Sequence, residues 1–194
     1  MLSVAIGGDV LEARLAAGQL PCPTCSAPLA RWGFAREREV RTLAGVRSCR
    51  PRRARCGGCE VTHVLPPAWC VPRRRDGAEV IGAALVAKAR GEGHRKIAME
   101  LDRAPGTVRG WLRAFGRRAE PLYHCGVRWT IALGCDELAR PGSAGSQFAD
   151  TVEALAGAAR AWVLRFGPGH APWELTVVLT GGLLHGRPRD PPGS

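Results

Sequence analysis

Two pairs of cysteines with the same spacing are the residues of this 194-residue sequence best suited to chemistry. The pairs are Cys22 with Cys25 and Cys56 with Cys59. A C-x2-C pair lets two thiolates approach one ion from a tight turn, and two such pairs complete a tetrahedral sulfur site. Gly57 and Gly58 lie inside the second pair, where glycine allows backbone amides to fold back toward sulfur. The spacing therefore predicts one structural Zn²⁺ per chain, held in a zinc ribbon that carries each pair at the tip of a β-hairpin.

Two other uses of paired cysteines fit the sequence less well. A redox CxxC motif needs one pair beside a βαβ pattern, and no such pattern is present. A disulfide framework is typical of secreted chains, whereas residues 1–6 are apolar but lack the basic residues of a secretory signal. We therefore expect a reducing, cytoplasmic environment in which free thiols favour a metal. One alternative stays open, in which Cys49, His63 or Cys70 replaces one of the four ligands.

The formal net charge is +11, and it is unevenly distributed along the chain. Residues 21–75 carry 12 arginines against three acidic residues, and residues 76–120 carry nine basic against six acidic residues. Residues 121–194 are balanced, with six of each. A general bias toward arginine would spread the charge more evenly. The excess therefore indicates a polyanionic partner for the first two thirds of the chain.

The elements that must position the cysteines are predicted to be short strands within residues 21–70, the expected zinc ribbon. A turn is expected at residues 44–45, and residues 46–55 are predicted to return as one strand into the second cysteine pair. Residues 61–65 are rich in β-branched side chains and predict a last strand, which ends at Pro66.

The segments on either side of the expected ribbon are short. Residues 1–20 predict a strand-like start and then a small helix, with Asp9 as its N-cap and Gly18 as its end. Residues 71–77 form a linker in which proline and glycine flank a basic triplet. The triplet is Arg73, Arg74 and Arg75. Two interpretations stay open, a solvated hinge and a basic strap that contacts phosphate groups.

The spacing of apolar residues becomes helical over residues 78–120. A break containing two glycines separates a first helix from a second helix over residues 94–101. A short turn then precedes a third helix over residues 107–118. These three helices are expected to form one small domain.

The second and third of these helices fit a helix-turn-helix. Ala98 is the small residue where the helices cross, Val108 and Trp111 lock the third helix inward, and Asp102 takes the turn position usually occupied by glycine. The outward face of the third helix is then small, polar and basic, which suits approach to base edges in the major groove of duplex DNA. Its predicted DNA-binding residues are Gly106, Thr107, Arg109, Gly110, Arg113 and Arg117. The alternative is a helical hairpin with a solvated basic face.

Residues 121–185 are predicted to be helical, and residues 186–194 to form a disordered tail. Helices are expected over residues 127–139 and 147–166, followed by an apolar segment over residues 173–184. The region has no excess charge for DNA but carries several aromatic side chains. It is therefore predicted to mediate a homodimer, or alternatively to fill a small helical core.

Two stretches carry a resemblance to a known family. Residues 89–112, which include the run from Gly93 to Ala98 and the Thr-Val-Arg-Gly-Trp-Leu of residues 107–112, resemble the homeodomain-like helix-turn-helix of insertion-sequence transposases and resolvases. Residues 22–59 are similar to the zinc ribbon that precedes it in such transposases. The chain also resembles small zinc-ribbon/helix-turn-helix proteins of high-GC bacteria, over residues 22–118. The resemblance implies binding of DNA ends or operators, with the four cysteines as metal ligands.

The resemblance does not extend to catalysis. Transposases of this group need a large domain that presents three carboxylates to two metal ions, and 74 residues after residue 120 are too few for it. No run of about 18 apolar residues exists, so no membrane span is expected. The predicted fold class is α+β, mainly helical.

The predicted function is binding of double-stranded DNA without catalysis, in the cytoplasm and associated with the nucleoid. The protein would act as a transcriptional regulator or as an accessory factor of a mobile element. The alternatives are an RNA- or protein-binding zinc ribbon and the remnant of a transposase that lacks its catalytic domain.

Overall fold

The computed structural model describes residues 8–139, residues 144–184 and Pro191. Its described part contains seven α-helices, about 49% helix, and two small antiparallel β-sheets in the N-terminal part. The α+β fold class predicted from the sequence is confirmed. Within the described ranges, no helix is both long enough and apolar enough to span a bilayer. The strand-like start expected at residues 1–6 and, apart from Pro191, the tail expected at residues 186–194 lie outside the described residues.

Five short strands divide into two sheets. The strands are β1 (Leu29–Phe34), β2 (Arg38–Thr42), β3 (Gly45–Cys49), β4 (Arg52–Cys56) and β5 (Thr62–Leu65). One sheet has the order β1-β4-β5, and β2 with β3 forms a separate hairpin. The prediction of one strand over residues 46–55 is wrong, because β3 ends at Cys49 and the chain changes sheets before β4. Pro51 lies at the change, where it has no amide hydrogen for a ladder and its carbonyl oxygen accepts from the Ala35 N–H at 2.8 Å.

A short helix, α1 (Gly8–Ala16), covers one face of the three-stranded sheet. Leu11 and Leu15 are buried in a cluster with Leu29 of β1 and Leu65 of β5. Glu12 lies at the rim of this contact, where its carboxylate oxygens pair with Arg31 at 3.0 Å and Arg52 at 2.8 Å. The small helix expected within residues 1–20 is therefore present and packs on the sheet, and Gly18 follows it with a φ of 65°. The prediction of Asp9 as its N-cap is wrong, because α1 already includes Gly8 and Asp9 lies in its first turn.

Six further helices make up the rest of the described chain. They are α2 (Ala78–Ala89), α3 (His94–Glu100), α4 (Pro105–Gly116), α5 (Ala119–Ala132), α6 (Gln147–Phe166) and α7 (Pro172–Leu179). A short 3-10 helix at Asp136–Ala139 follows α5. α4 begins two residues before its predicted start, with a proline at its first position, where no intrahelical amide hydrogen is needed.

The two helices expected after residue 121 differ in outcome. The helix predicted over residues 147–166 is α6, and its N-cap is Ser146, whose hydroxyl oxygen accepts from the Ala149 N–H at 3.2 Å. The helix predicted over residues 127–139 is wrong, because α5 begins at Ala119 and ends at Ala132. Gly134, with a φ of 74°, follows its end.

One hydrophobic core joins α2 to the last described residues of the helical part. Its largest fully buried side chains are Trp111, Phe115, Ile81, Leu85, Ile97, Leu122, Leu155, Leu183 and Leu184. The boundary expected between residues 120 and 121 lies inside α5, and the core extends on both sides of it. Two glycines permit the close packing: a Cβ at Gly82 would lie 2.2 Å from the ring of Trp173, and one at Gly126 would lie 2.7 Å from the backbone of Ala154.

Candidate metal centre and nucleic-acid interface

The four predicted cysteines gather at one end of the three-stranded sheet. Cys56 is the last residue of β4 and Cys59 lies in the turn after it, while Cys22 and Cys25 lie in the turn between α1 and β1. All four Sγ atoms lie within 4.8 Å of one another. The Cys25 and Cys56 sulfurs lie 3.3 Å apart, and those of Cys22 and Cys59 lie 3.7 Å apart. This cluster could hold a metal ion.

Backbone amides favour the thiolate form at two of these positions. The N–H of Cys59, with that of Gly58, donates to the Cys56 sulfur and lowers the pKa of Cys56 to about 6. At Cys22 burial raises the pKa, but the N–H of Thr24 and a further backbone N–H lower it more, to about 7. Thiolate is the form that binds metal, so both turns prepare their sulfurs for a cation.

The sulfurs also hinder one another in the absence of a cation. The backbone N–H of Val61 lowers the pKa of Cys59, yet burial and the neighbouring sulfurs outweigh it and raise that pKa to about 12. Several negative sulfurs this close together repel, so one of them keeps its proton. A bound cation would offset this repulsion and allow all four sulfurs to ionise. Four cysteine thiolates are a donor set typical of structural Zn²⁺ sites. The residues present therefore fit a zinc site.

The three alternative ligands lie outside the group of four. His63 is buried on β5 and places Nε2 3.4 Å from the Cys22 sulfur, so it contacts one member of the cluster. Cys49 and Cys70 lie 3.5 Å apart in a separate buried cluster with Val40. The sequence suggested His63 only as an alternative ligand and not as a neighbour of the cluster. A signal was available, because residues two apart in a strand share a face, and His63 therefore lies on the same inner face as buried Leu65.

The predicted DNA-binding residues of α4 lie on its outer side. Five of them are exposed, namely Gly106, Arg109, Gly110, Arg113 and Arg117, and Thr107 is half-buried. A Cβ at either glycine would meet no atom within 4 Å, so this side of the helix is open. Val108, Trp111 and Phe115 are buried on the opposite side, which confirms the core position predicted for Trp111. Asp102 has a φ of 50° in the turn before α4, the left-handed conformation expected there.

The linker arginines occupy a segment that is tied down at its end. Arg73 and Arg75 are exposed, and Arg74 is half-buried. Directly after them Asp76 is almost fully buried, and its carboxylate pairs with Arg41 of β2 at 2.8 Å and with Arg103 at 2.6 Å. Backbone bonds of 2.7 and 2.8 Å between residues 75–77 and Arg41 add a short bridge to β2.

These contacts bear on the two interpretations of the linker. A freely solvated hinge does not bury a carboxylate between two guanidinium groups. Sequence reasoning missed Asp76, whose partners lie 35 and 27 residues away in the chain. Its only local signal is an acidic residue directly after three arginines.

Comparisons with known proteins place part of this chain in context. The model of a family described as a domain of unknown function (DUF6431) matches residues 22–111. The matched stretch includes all four clustered cysteines, the linker and the helices up to the middle of α4. No curated protein matches the chain, and no solved structure matches it.

Proposed function

We propose that this protein binds duplex DNA through α4, as a transcriptional regulator or as an accessory factor of a mobile element. The observation that carries the proposal is the outer side of α4. It combines three exposed arginines with two glycines that leave the helix surface open. Arginine pairs with guanine in the major groove, and an absence of bulk lets a helix approach base edges.

The packing of α3 and α4 supports a helix-turn-helix. Ala98 is buried where α3 meets α4, and its carbonyl oxygen accepts from the Arg103 N–H at 2.8 Å, which tightens the turn. Val108 and Trp111 fix α4 from the inside. α2 contacts both helices and completes a group of three. In such an arrangement the second helix of the motif is the one that enters the groove.

The proposed role of the cysteine cluster is structural. Cys22, Cys25, Cys56 and Cys59 would hold one Zn²⁺, which would supply a covalent-like link between the turn before β1 and the end of β4. Four protein ligands would leave no open position for a substrate, so we propose no catalytic step at this site.

Recognition by α4 is tested with a pool of random duplexes. Arg109→Ala and Arg113→Ala should each weaken binding to the selected sequence by about 1–3 kcal/mol and relax preference at one base pair, because each removes a guanine contact. Fluorescence anisotropy measures the affinity, and repeated selection measures the preference. Arg165→Ala, which removes an exposed arginine of α6, is the control and should change neither. Unchanged affinity and preference in both α4 variants would exclude α4 as the reading helix.

A second candidate function is binding of single-stranded nucleic acid by the three-stranded sheet. Trp32 and Phe34 of β1 are about half exposed, at 48% and 50%. The guanidinium of Arg55 lies 4.8 Å from the Trp32 ring centre, and that of Arg52 lies 4.5 Å from the Phe34 ring centre. Exposed aromatic rings among arginines can stack unpaired bases.

Competition between duplex and single strands separates the two candidates. A preference for single strands that Trp32→Ala abolishes would favour the sheet. A preference for duplex that Trp32→Ala leaves intact would favour α4.

A further inference from the structure

A cleft lined by arginines lies between the β2–β3 hairpin and the linker, and no residue of α4 lines it. Its volume is about 670 Å³. Three separate segments contribute its arginines: the connection before β2, β2 itself and the linker. The residues are Arg36, Arg38, Arg41, Arg73, Arg74 and Arg75.

The acidic residues of the cleft do not balance these six cations. Glu37 and Glu39 also line it. The Glu37 carboxylate already accepts a hydrogen bond from the Ser48 hydroxyl, so it is partly engaged by β3. Of the six arginines, Arg41 has a carboxylate partner in Asp76, outside the lining of the cleft. The cleft therefore keeps a net positive charge in a concave surface, which strengthens its attraction for anions.

The arginines that line the cleft differ in how far their guanidinium groups are enclosed. The Nε atoms of Arg38 and Arg41 are buried from solvent and have no hydrogen-bond partner within the described ranges. The guanidinium groups that an incoming anion would meet first are those of the exposed arginines Arg36, Arg73 and Arg75. Phosphate oxygens match guanidinium donors in charge and geometry.

Asp76 fixes this cleft relative to α4. Its carboxylate bonds Arg41 on one side and Arg103 on the other, and Arg103 lies two residues before the first residue of α4. One buried side chain thus joins the cleft to the start of the helix. Because Asp76 is buried and bonds both arginines, it limits how far the cleft and the start of α4 can move relative to each other.

We infer that the arginine cleft is a phosphate-binding site, and that its phosphates are those of the DNA backbone beside the segment read by α4. The inference rests on the proposed function for the source of the phosphate, but the chemistry of the cleft stands on its own residues. The cleft contributes affinity that is independent of base sequence, and α4 contributes preference.

The test uses a double variant, Arg36→Ala with Arg75→Ala. Both side chains are exposed and neither belongs to the Asp76 bridge, so the fold should persist. Each phosphate contact contributes about 0.9 to the slope of log affinity against log salt. The variant should therefore flatten that slope by about 2, equally for preferred and random duplexes. A control double variant, Arg160→Ala with Arg165→Ala, removes the same charge from exposed positions of α6 and should leave the slope unchanged.

Inorganic tripolyphosphate gives a second readout that needs no DNA. Calorimetry at low salt should detect its binding to the intact protein, with affinity reduced more than about tenfold in the cleft variant. Arg109→Ala with Arg113→Ala should keep tripolyphosphate binding and lose duplex preference. Tripolyphosphate binding without any duplex binding would retain the phosphate site but overturn DNA as its source. If the cleft variant matches the control variant in both readouts, the inference is overturned, whether or not α4 binds DNA.

Discussion

At the scale of single residues, Gly58 sets how closely the cysteine sulfurs can gather. A Cβ at this position would lie 2.9 Å from the Ala27 side chain and 3.4 Å from the Cys25 sulfur. The glycine thus leaves room for the turn that directs two N–H groups at the Cys56 sulfur. The chemistry of the site depends on this turn as much as on the sulfurs.

Zinc binding should depend on Cys56 and should be coupled to folding of residues 21–65. A region this small buries too little apolar surface to fold without the metal. We expect one Zn²⁺ per intact chain by elemental analysis, and loss of zinc in Cys56→Ser together with rapid proteolysis between residues 21 and 65. A chelator should make the intact protein equally sensitive to protease.

The other buried thiol pair supplies the matched control for this experiment. Cys70 contacts Cys49, and burial raises the pKa of the Cys70 thiol, which disfavours the thiolate that a metal would need. Cys70→Ser should therefore keep its zinc. Full zinc content in Cys56→Ser, or loss of zinc in Cys70→Ser, would contradict the assignment of ligands.

The sequence predicts residues that act within a local pattern better than residues whose partners are distant in the chain. The cysteines and the outward residues of α4 follow from local spacing, because each set acts within a turn or along one helix. Asp76 and His63 act through partners that lie tens of residues away, and no local pattern encodes such contacts. The energetic role of these two residues therefore becomes visible only in three dimensions.

At the scale of elements, the buried carboxylate of Asp76 joins β2, the linker and the turn before α4. Arg103 is also nearly enclosed, with 11% of its side chain exposed, whereas Arg41 keeps 42% exposed. Solvent can screen Arg41 if its partner is lost, but it can screen Arg103 much less.

Asp76→Asn should lower the free energy of unfolding by about 2 kcal/mol. The value lies below the 3–5 kcal/mol typical of a fully buried broken pair because Arg41 remains partly solvated. Urea unfolding followed by circular dichroism measures it. Glu60→Gln, which removes a carboxylate that pairs with Arg55 on the surface, is the control and should change stability by less than about 0.5 kcal/mol. Equal stabilities of the two variants would contradict the bridging role of Asp76.

The strands and helices could be predicted to different degrees. α6 could be predicted because twenty residues of regular amphipathic spacing leave little choice. The switch between sheets at Pro51 could not, because β3 pairs with the preceding β2, whereas β4 pairs with β1 and β5 and not with β3. The start of α5 could not be predicted, because Pro121 reads as a helix breaker. The proline lies in the first turn of α5, where a helix tolerates it.

At the scale of the whole molecule, the C-terminal aromatic side chains divide between core and surface. Phe148 stacks on Phe115 at 4.8 Å between ring centres, and Trp173 packs against α2, so both serve the shared core. Leu164 and Phe166, at the end of α6, are 72% and 62% exposed. The alternative prediction, that the aromatic side chains fill a helical core, therefore holds for Phe148 and Trp173. The predicted homodimer would use the exposed end of α6.

The homodimer is best tested by a surface change, because removal of residues 121–194 would open the shared core. Leu164→Glu should convert a dimer to a monomer by placing a charge in the apolar contact, with little effect on stability. Light scattering of free and DNA-bound protein measures the mass. Arg160→Glu, one turn earlier and also exposed, gives a control for charge alone. A monomeric intact protein, both free and on DNA, would contradict the homodimer predicted from the sequence.

The contact between Gly82 and Trp173 has a consequence for how relatives of this chain vary. Gly82 lies inside the stretch matched by the family model, and Trp173 lies 62 residues beyond its end. A methyl group at residue 82 and an indole at residue 173 cannot occupy their present places together. A relative with a larger side chain at the first position must therefore carry a smaller one, or a different helix, at the second. The identity of residue 82 thus limits which side chain at residue 173 can pack on α2.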